Sequence, residues 1–204
     1  MLNILALTLG DYQTNTYIVH NSDSRECVII DPGYEAQKIL GKLEALALKP
    51  AAILLTHGHF DHVGAVEQLV EATGCTLWMS QSDWSQPIAP VFQYLYPLSN
   101  RDFTEVNFCE DGEVICAAGL KFTTLATPGH THGSVCYLCG DALFSGDTLF
   151  AGGCGRTDLP GGNWNTMVES LSRLAALSDS LRVFPGHGES TVLAQEKKYN
   201  PYLK

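Results

Sequence analysis

Positive charge is scarce in this sequence. Lysine and arginine number 12 against 22 aspartates and glutamates, a formal net charge of -10. A surface that acidic suits neither a phosphate backbone nor an anionic membrane, so no nucleic acid and no membrane is expected as a partner. No apolar run reaches the length of a bilayer span. Residues 1–10 are apolar but have no basic stretch and no cleavage-like site, so they are not expected to be a signal peptide. The seven cysteines are odd in number and scattered. They lack both the spacing of a structural zinc module and the even framework of a disulfide scaffold. Reduced thiols and a cytoplasmic location are the expectation. The glycine-rich stretch 152–162 lacks Gly-Lys-Ser/Thr and is not a phosphate loop.

What remains is an ordinary globular composition, 45% hydrophobic and 17% charged over 204 residues. That length fits one domain spanning residues 1–204, with a core that needs no staples. Within it, Thr56-His57-Gly58-His59-Phe60-Asp61-His62 concentrates three histidines and an aspartate in six residues. Imidazole and carboxylate suit zinc and its first-row neighbours. The aliphatic run 51–55 before the motif predicts a buried strand, and residues 63–73 predict a helix ending at Gly74. His57 and His59, two apart in extended chain, face the same way. Asp61 and His62 fall where the chain turns and can address a second point close by, so the spacing favours two metals over one. A helix cap by Asp61 would account for the aspartate but not for three histidines beside it.

Elsewhere, strands are predicted at 2–9, 17–19, 27–30, 77–79, 114–116, 120–125, 135–138, 142–145 and 182–184. Helices are predicted at 35–46, 164–177 and 191–199. The stretch 80–110 reads as irregular and aromatic, a lid or pocket wall at most and a covering connection at least. Cys136 and Cys139 lie three apart on a strand and so point to opposite faces. In the second half, strand after strand ends in a glycine-bearing turn with a possible ligand: Pro128-Gly129-His130-Thr131-His132, Ser145-Gly146-Asp147-Thr148 and Pro185-Gly186-His187-Gly188. Each is weak evidence alone; three of them after His57-x-His59-x-Asp61-His62 are not.

Taken with Gly153-Cys154-Gly155-Arg156, these motifs resemble the metallo-β-lactamase fold superfamily, and most closely its short glyoxalase II-like hydrolases. The resemblance runs nearly end to end and implies an α+β fold, a four-layer αββα sandwich with a dinuclear site at one edge. It implies that His57, His59 and His130 hold one metal, that Asp61, His62 and His187 hold a second, and that Asp147 bridges them. His132 is left behind the ligands, because the family's ligand directly follows Pro-Gly. His20 matches nothing. The cofactors implied are two divalent ions per chain, zinc first, with iron or manganese as alternatives.

Two such ions about 3.5–4 Å apart can share a water and bring its pKa toward neutrality, giving hydroxide as the nucleophile. A thioester suits that chemistry, since its leaving thiol has a pKa of about 8.5 and departs without much acid catalysis. The expected substrate is therefore a small thioester such as an S-2-hydroxyacylglutathione, with Asp61 and Asp147 as catalytic residues and Arg156 pairing with a substrate carboxylate. The resemblance departs at Arg156, where glyoxalase II has lysine, and after Lys204, where that enzyme continues. Three alternatives stand beside this one. A mononuclear iron persulfide dioxygenase would use His57, His130 and Asp147. A phosphodiesterase or nuclease is disfavoured by the acidity, and a non-catalytic metal module by the full ligand set.

Overall fold

A computed structural model describes residues 1–85 and 106–203. Of the six aromatics in the stretch read as a lid or pocket wall, Phe92, Tyr94, Tyr96 and Phe103 lie outside the described residues, and Trp84 and Phe108 lie within them. Two six-stranded sheets form the frame. The first runs in chain order: β1 (Leu2–Leu9), β2 (Thr14–Asn21), β3 (Glu26–Ile30), β4 (Lys49–Leu54), β5 (Thr76–Met79) and β6 (Val106–Phe108). Its β1–β3 pairs are antiparallel and its β3–β6 pairs parallel. The second sheet is built on β7 (Val114–Ala117), β8 (Leu120–Ala126), β9 (Val135–Cys139) and β10 (Ala142–Gly146), joined antiparallel in that order. A short ribbon, β11 (Leu149–Phe150) and β12 (Gly153–Cys154), follows, and β13 (Arg182–Pro185) then joins β10 in parallel with β14 (Thr191–Val192) outside it.

Three clusters of buried side chains show why these strands read as continuous apolar runs. Tyr17, Val19, Val28, Ile30, Ala52 and Leu54 point from the first sheet into a core shared with Ile115, Phe122, Tyr137 and Phe144 of the second. Their neighbours Ile18, Ile29 and Ile53 point the other way, onto Ile39 and Leu43 of α1 (Ala36–Ala45) and Leu69 of α3 (Val66–Thr73). Cys136, Leu143 and Val183 of the second sheet pack on Met167, Leu171 and Leu174 of α5 (Trp164–Ala175) and Leu193 of α6 (Leu193–Tyr199). Both faces of each sheet are covered, so alternation disappears from the central strands. The result is the expected αββα sandwich. Burying each such Ile or Leu contributes roughly 1.5–3 kcal/mol relative to exposure, so the outer layers matter as much as the central one.

Several boundaries differ from expectation. The helix predicted over 63–73 is two, α2 (Phe60–Val63) and α3, because the Ala65 N–H leaves the helical ladder to bond Pro32 O at 3.0 Å. Gly64 is pressed so close to Gly33 O that a Cβ there would stand 2.3 Å from it. The stretch 80–110 is regular at both described ends, with α4 (Gln81–Ser85) and β6; three residues are too few to display a strand period. The C-terminal helix starts at Leu193, since Thr191 and Val192 are claimed by pairing with Val183 and Arg182.

All seven cysteines are free thiols, five of them buried. Cys136 faces the α5 layer and Cys139 the inter-sheet core, so the pair points to opposite faces as predicted. Burial pushes the Cys27 thiol up to about 12 and those of Cys136 and Cys139 up to about 11. A native thiol titration should therefore show fast reaction at Cys116, slower reaction at the half-exposed Cys154, and little at the rest. Denaturation without reductant should release all seven. A deficit of two in fresh protein would contradict the reduced state.

Candidate metal centre

The carboxyl ends of β4, β8, β10 and β13 meet along one edge of the sandwich, and each carries part of the site. Two buried tyrosines tie the sheets beneath it. Tyr137 OH donates to Leu55 O at 2.9 Å just before the histidine motif, and Tyr17 OH donates to Pro185 O at 2.6 Å just before His187. Thr56 is fixed between them: its N–H and hydroxyl donate to Asp31 at 2.8 and 2.6 Å, and its carbonyl accepts from Val135 N–H at 2.8 Å. The last ligand loop is clasped by the first hairpin. Asn15 N–H donates to Gly186 O at 2.7 Å, and its side chain donates to Pro185 O and Gly188 O at 3.1 and 2.8 Å.

On this base the seven side chains converge as two trios around one aspartate. His59 Nδ1 lies 3.1 Å from His57 Nε2 and 2.8 Å from His130 Nε2. His187 Nε2 lies 3.4 Å from His62 Nε2 and 3.3 Å from Asp61 Oδ2. Asp147 stands between the trios, Oδ2 at 3.5 Å from both His130 and His187 and Oδ1 at 3.4 Å from His62. Two glycines make room for it. A Cβ on Gly186 would lie 2.2 Å from Asp147 Oδ1, and one on Gly155 would lie 1.8 Å from Asp147 O.

In three of the five rings the outward nitrogen is assigned by its partner. His62 Nδ1 donates to Asp31 Oδ2 at 3.0 Å, His130 Nδ1 to the carbonyl of Arg156 at 2.7 Å, and His187 Nδ1 to the carbonyl of Tyr12 at 3.1 Å. Each of these three rings therefore presents Nε2 inward with its other nitrogen held, the arrangement that orients a metal-binding histidine. Thr14 Oγ1 donates to Asp61 Oδ2 at 3.2 Å.

Burial pushes His57 well below the ordinary imidazole range and brings His59 to about 4, with neighbouring histidines adding to the effect. Burial opposes charge on His62 too, but Asp147 and Asp31 outweigh it and hold His62 well up. His187 rises to about 9 for a related reason: burial is overcome by the carboxylates of Asp147 and Asp61, which face its Nε2 at 3.5 and 3.3 Å. Asp61 and Asp147 sit below the usual carboxylate range, burial being outweighed by His187 and His62 at the first and by His62 and His187 at the second. One carboxylate oxygen of the site stays unsatisfied. Asp147 Oδ1 is buried without a hydrogen-bond partner, His62 Nε2 being beyond the usual range. An orphaned carboxylate oxygen in a ring of imidazoles fits a cation, and the donors fit zinc or iron chemistry.

The trios open on a cavity of about 510 Å³ with Tyr12, Phe60, Phe150, Leu159 and Pro160 in its wall. Arg156 lines it as expected, but its guanidinium is held by both oxygens of Asp158, each at 2.7 Å. His132 corrects its expectation: it is exposed beside Gly161, not behind the ligands. His20 is a half-buried residue near the end of β2 and belongs to neither trio. In the sequence Asp31 reads only as the start of the turn Asp31-Pro32-Gly33. Its left-handed backbone, φ 49°, and its partner His62, 31 positions away, leave no signal in the sequence.

Comparison with known proteins adds a lineage to this geometry. Residues 9–187 match the family model described as the metallo-beta-lactamase superfamily. Hydroxyacylglutathione hydrolase GloC of Haemophilus influenzae is 35% identical over 209 residues, covering 99% of this chain and 98% of that protein. The solved structure of TTHA1623 in a di-iron-bound form is 39% identical, with TM-score 0.82 over 98% of this chain and 100% of that one. ETHE1 from Myxococcus xanthus is 32% identical, with TM-score 0.82 over 98% and 83%.

Proposed function

Because this chain belongs to the metallo-beta-lactamase superfamily, we propose that this metal-dependent hydrolase cleaves a small thioester of the S-2-hydroxyacylglutathione kind. The observation that carries the reading is the double trio about Asp147, with an unpartnered carboxylate oxygen at its centre. Similarity to GloC over almost the whole chain supports the substrate class. His57, His59 and His130 would hold one ion, Asp61, His62 and His187 a second, and Asp147 would lie between them. Divalent ions bound there supply Lewis acidity, which acidifies water and polarises a carbonyl. Zinc is the proposed metal; iron has the support of the similar di-iron protein.

The chain's own residues set the conditions for that chemistry. Asp31, the carbonyl of Arg156 and the carbonyl of Tyr12 hold three rings in one tautomer, so no reorientation is needed on binding. The aromatic and aliphatic wall limits water around the scissile bond. A thiolate with a pKa of about 8.5 leaves unaided, and no serine or cysteine nucleophile is required. Glyoxalase-like chemistry follows if the acyl group's oxygen faces the trios and its thiol portion faces Arg156. The persulfide dioxygenase alternative draws support from Gly153-Cys154-Gly155-Arg156-Thr157-Asp158, and the second trio speaks against it.

Elemental analysis of protein purified without chelator, coupled to a thioester assay, tests the reading. Close to two equivalents of metal with measurable hydrolysis is expected; a ceiling of one that added zinc does not raise would refute the dinuclear site. Arg156→Ala should mainly raise KM for a carboxylated thioester, because a contact remote from the reacting carbon is close to uniform binding. The Arg156 carbonyl that holds His130 survives the change, and losing the exposed pair with Asp158 costs little. An unchanged KM would leave Arg156 with a structural role only.

A further inference from the structure

Asp83 belongs to no motif and to neither trio. It sits on α4, only 7% exposed, and its carboxylate joins two ligand loops. Oδ2 accepts from Gly58 N–H at 2.9 Å and from the Thr131 hydroxyl at 2.8 Å, while Oδ1 accepts from Gly133 N–H at 2.7 Å. Gly58 lies between His57 and His59, and Thr131 directly follows His130. Gly133 is what admits the carboxylate, since a Cβ there would stand 2.5 Å from Asp83 Oδ1. Hydrogen bonds to an ionised acceptor are roughly twice as strong as neutral ones, so three of them make a stiff joint. The loops also meet at their base, through Val135 N–H to Thr56 O at 2.8 Å. Base and clamp together leave the two loops little freedom to change their separation.

We propose that Asp83 is the positioning residue of the His57, His59 and His130 trio: it sets the spacing between the loop after β4 and the loop after β8, and with it the affinity for one of the two ions. The inference rests on the reading of that trio as a metal site. Its distinctive content is selectivity. The other trio is positioned by different groups, Asp31 on His62, Thr14 on Asp61 and the Tyr12 carbonyl on His187. Loss of Asp83 therefore acts on one ion and spares the other, whereas a general loss of stability would weaken both.

Asp83→Asn is the sharpest probe, because whichever way the amide turns, its NH2 faces the N–H of Gly58 or of Gly133. The metal-free full-length protein is titrated with Zn2+ against a chelator of known affinity in two backgrounds. His187→Ala leaves the first trio intact, and His59→Ala leaves the second. In the His187→Ala background Asp83→Asn should weaken zinc binding roughly 10- to 100-fold, the usual range for a partner that orients a ligand, and in the His59→Ala background less than about threefold. Thr131→Val removes one of the three bonds at nearly constant volume and should weaken the first trio about three- to tenfold. It carries the test if Asp83→Asn does not fold. Unchanged affinity at the first trio, or equal weakening in both backgrounds, overturns the proposal. Absence of zinc binding by the parent protein would instead remove the metal reading beneath it.

Discussion

Asp61→Asn should lower thioester hydrolysis by on the order of a hundredfold or more, with most of the loss in kcat. The substitution is nearly isosteric and keeps an oxygen for the Thr14 hydroxyl, 3.2 Å away in the parent. What it removes is the negative charge that His187 meets at 3.3 Å and that a second cation would need. The trio of His57, His59 and His130 shares no hydrogen bond with Asp61, so one equivalent of metal should remain. The same variant separates the two enzyme classes. A mononuclear iron oxygenase needs only one ligand set and open positions, so its rate would not follow Asp61. Oxygen uptake with glutathione persulfide is expected near background in parent and variant, even after iron loading. Robust uptake by the iron form, insensitive to Asp61→Asn and with negligible thioesterase activity, would overturn the hydrolase reading in favour of the dioxygenase.

Gly155→Ala should damage fold and site together. Its new methyl would lie 1.8 Å from Asp147 O and 3.2 Å from His130 Nδ1, and the first of these is backbone that cannot swing aside. Overpacking of this kind costs about 1–3 kcal/mol, which for a chain this long is roughly 2–12 °C in Tm. Metal content should fall with it, because Asp147 must move. Gly153→Ala is the internal control: two positions earlier, its methyl meets only Phe150 at 3.9 Å. It should shift Tm by less than about 2 °C. Calorimetry showing the two variants alike would mean that Gly155 is not there for space.

How much of this was legible in the sequence depended on distance along the chain. His57, His59, Asp61 and His62 announce themselves because four donors fall within six residues. His130, Asp147 and His187 are legible only as a pattern repeated at strand ends, each glycine-flanked because backbone must pass close. Asp31 and Asp83 were not legible as site residues, and the reason is the same for both. Each carboxylate acts through partners at least 25 positions away, and nothing local distinguishes it from a turn or helix residue. Arg156 shows a different limit: its side chain was read for charge, while its carbonyl, which every residue has, holds His130. The layers of the sandwich were readable from apolar runs. The break at Gly64 was not, since the Ala65 N–H is drawn off by Pro32 O from another strand end.

The clasp of the last ligand loop by the first hairpin makes the order of synthesis an order of assembly. A ribosome-bound chain acquires His57, His59 and His130 well before it acquires His187, and Asn15 waits some 170 residues for Pro185. A nascent chain can therefore complete one trio while the other is still open. In equilibrium terms the delay costs almost nothing. Joining His59 to His130 closes 71 residues and joining His62 to His187 closes 125, less than one doubling, for which loop entropy charges under about 0.6 kcal/mol. As far as loop closure goes, the two halves of the centre differ in timing and hardly at all in cost.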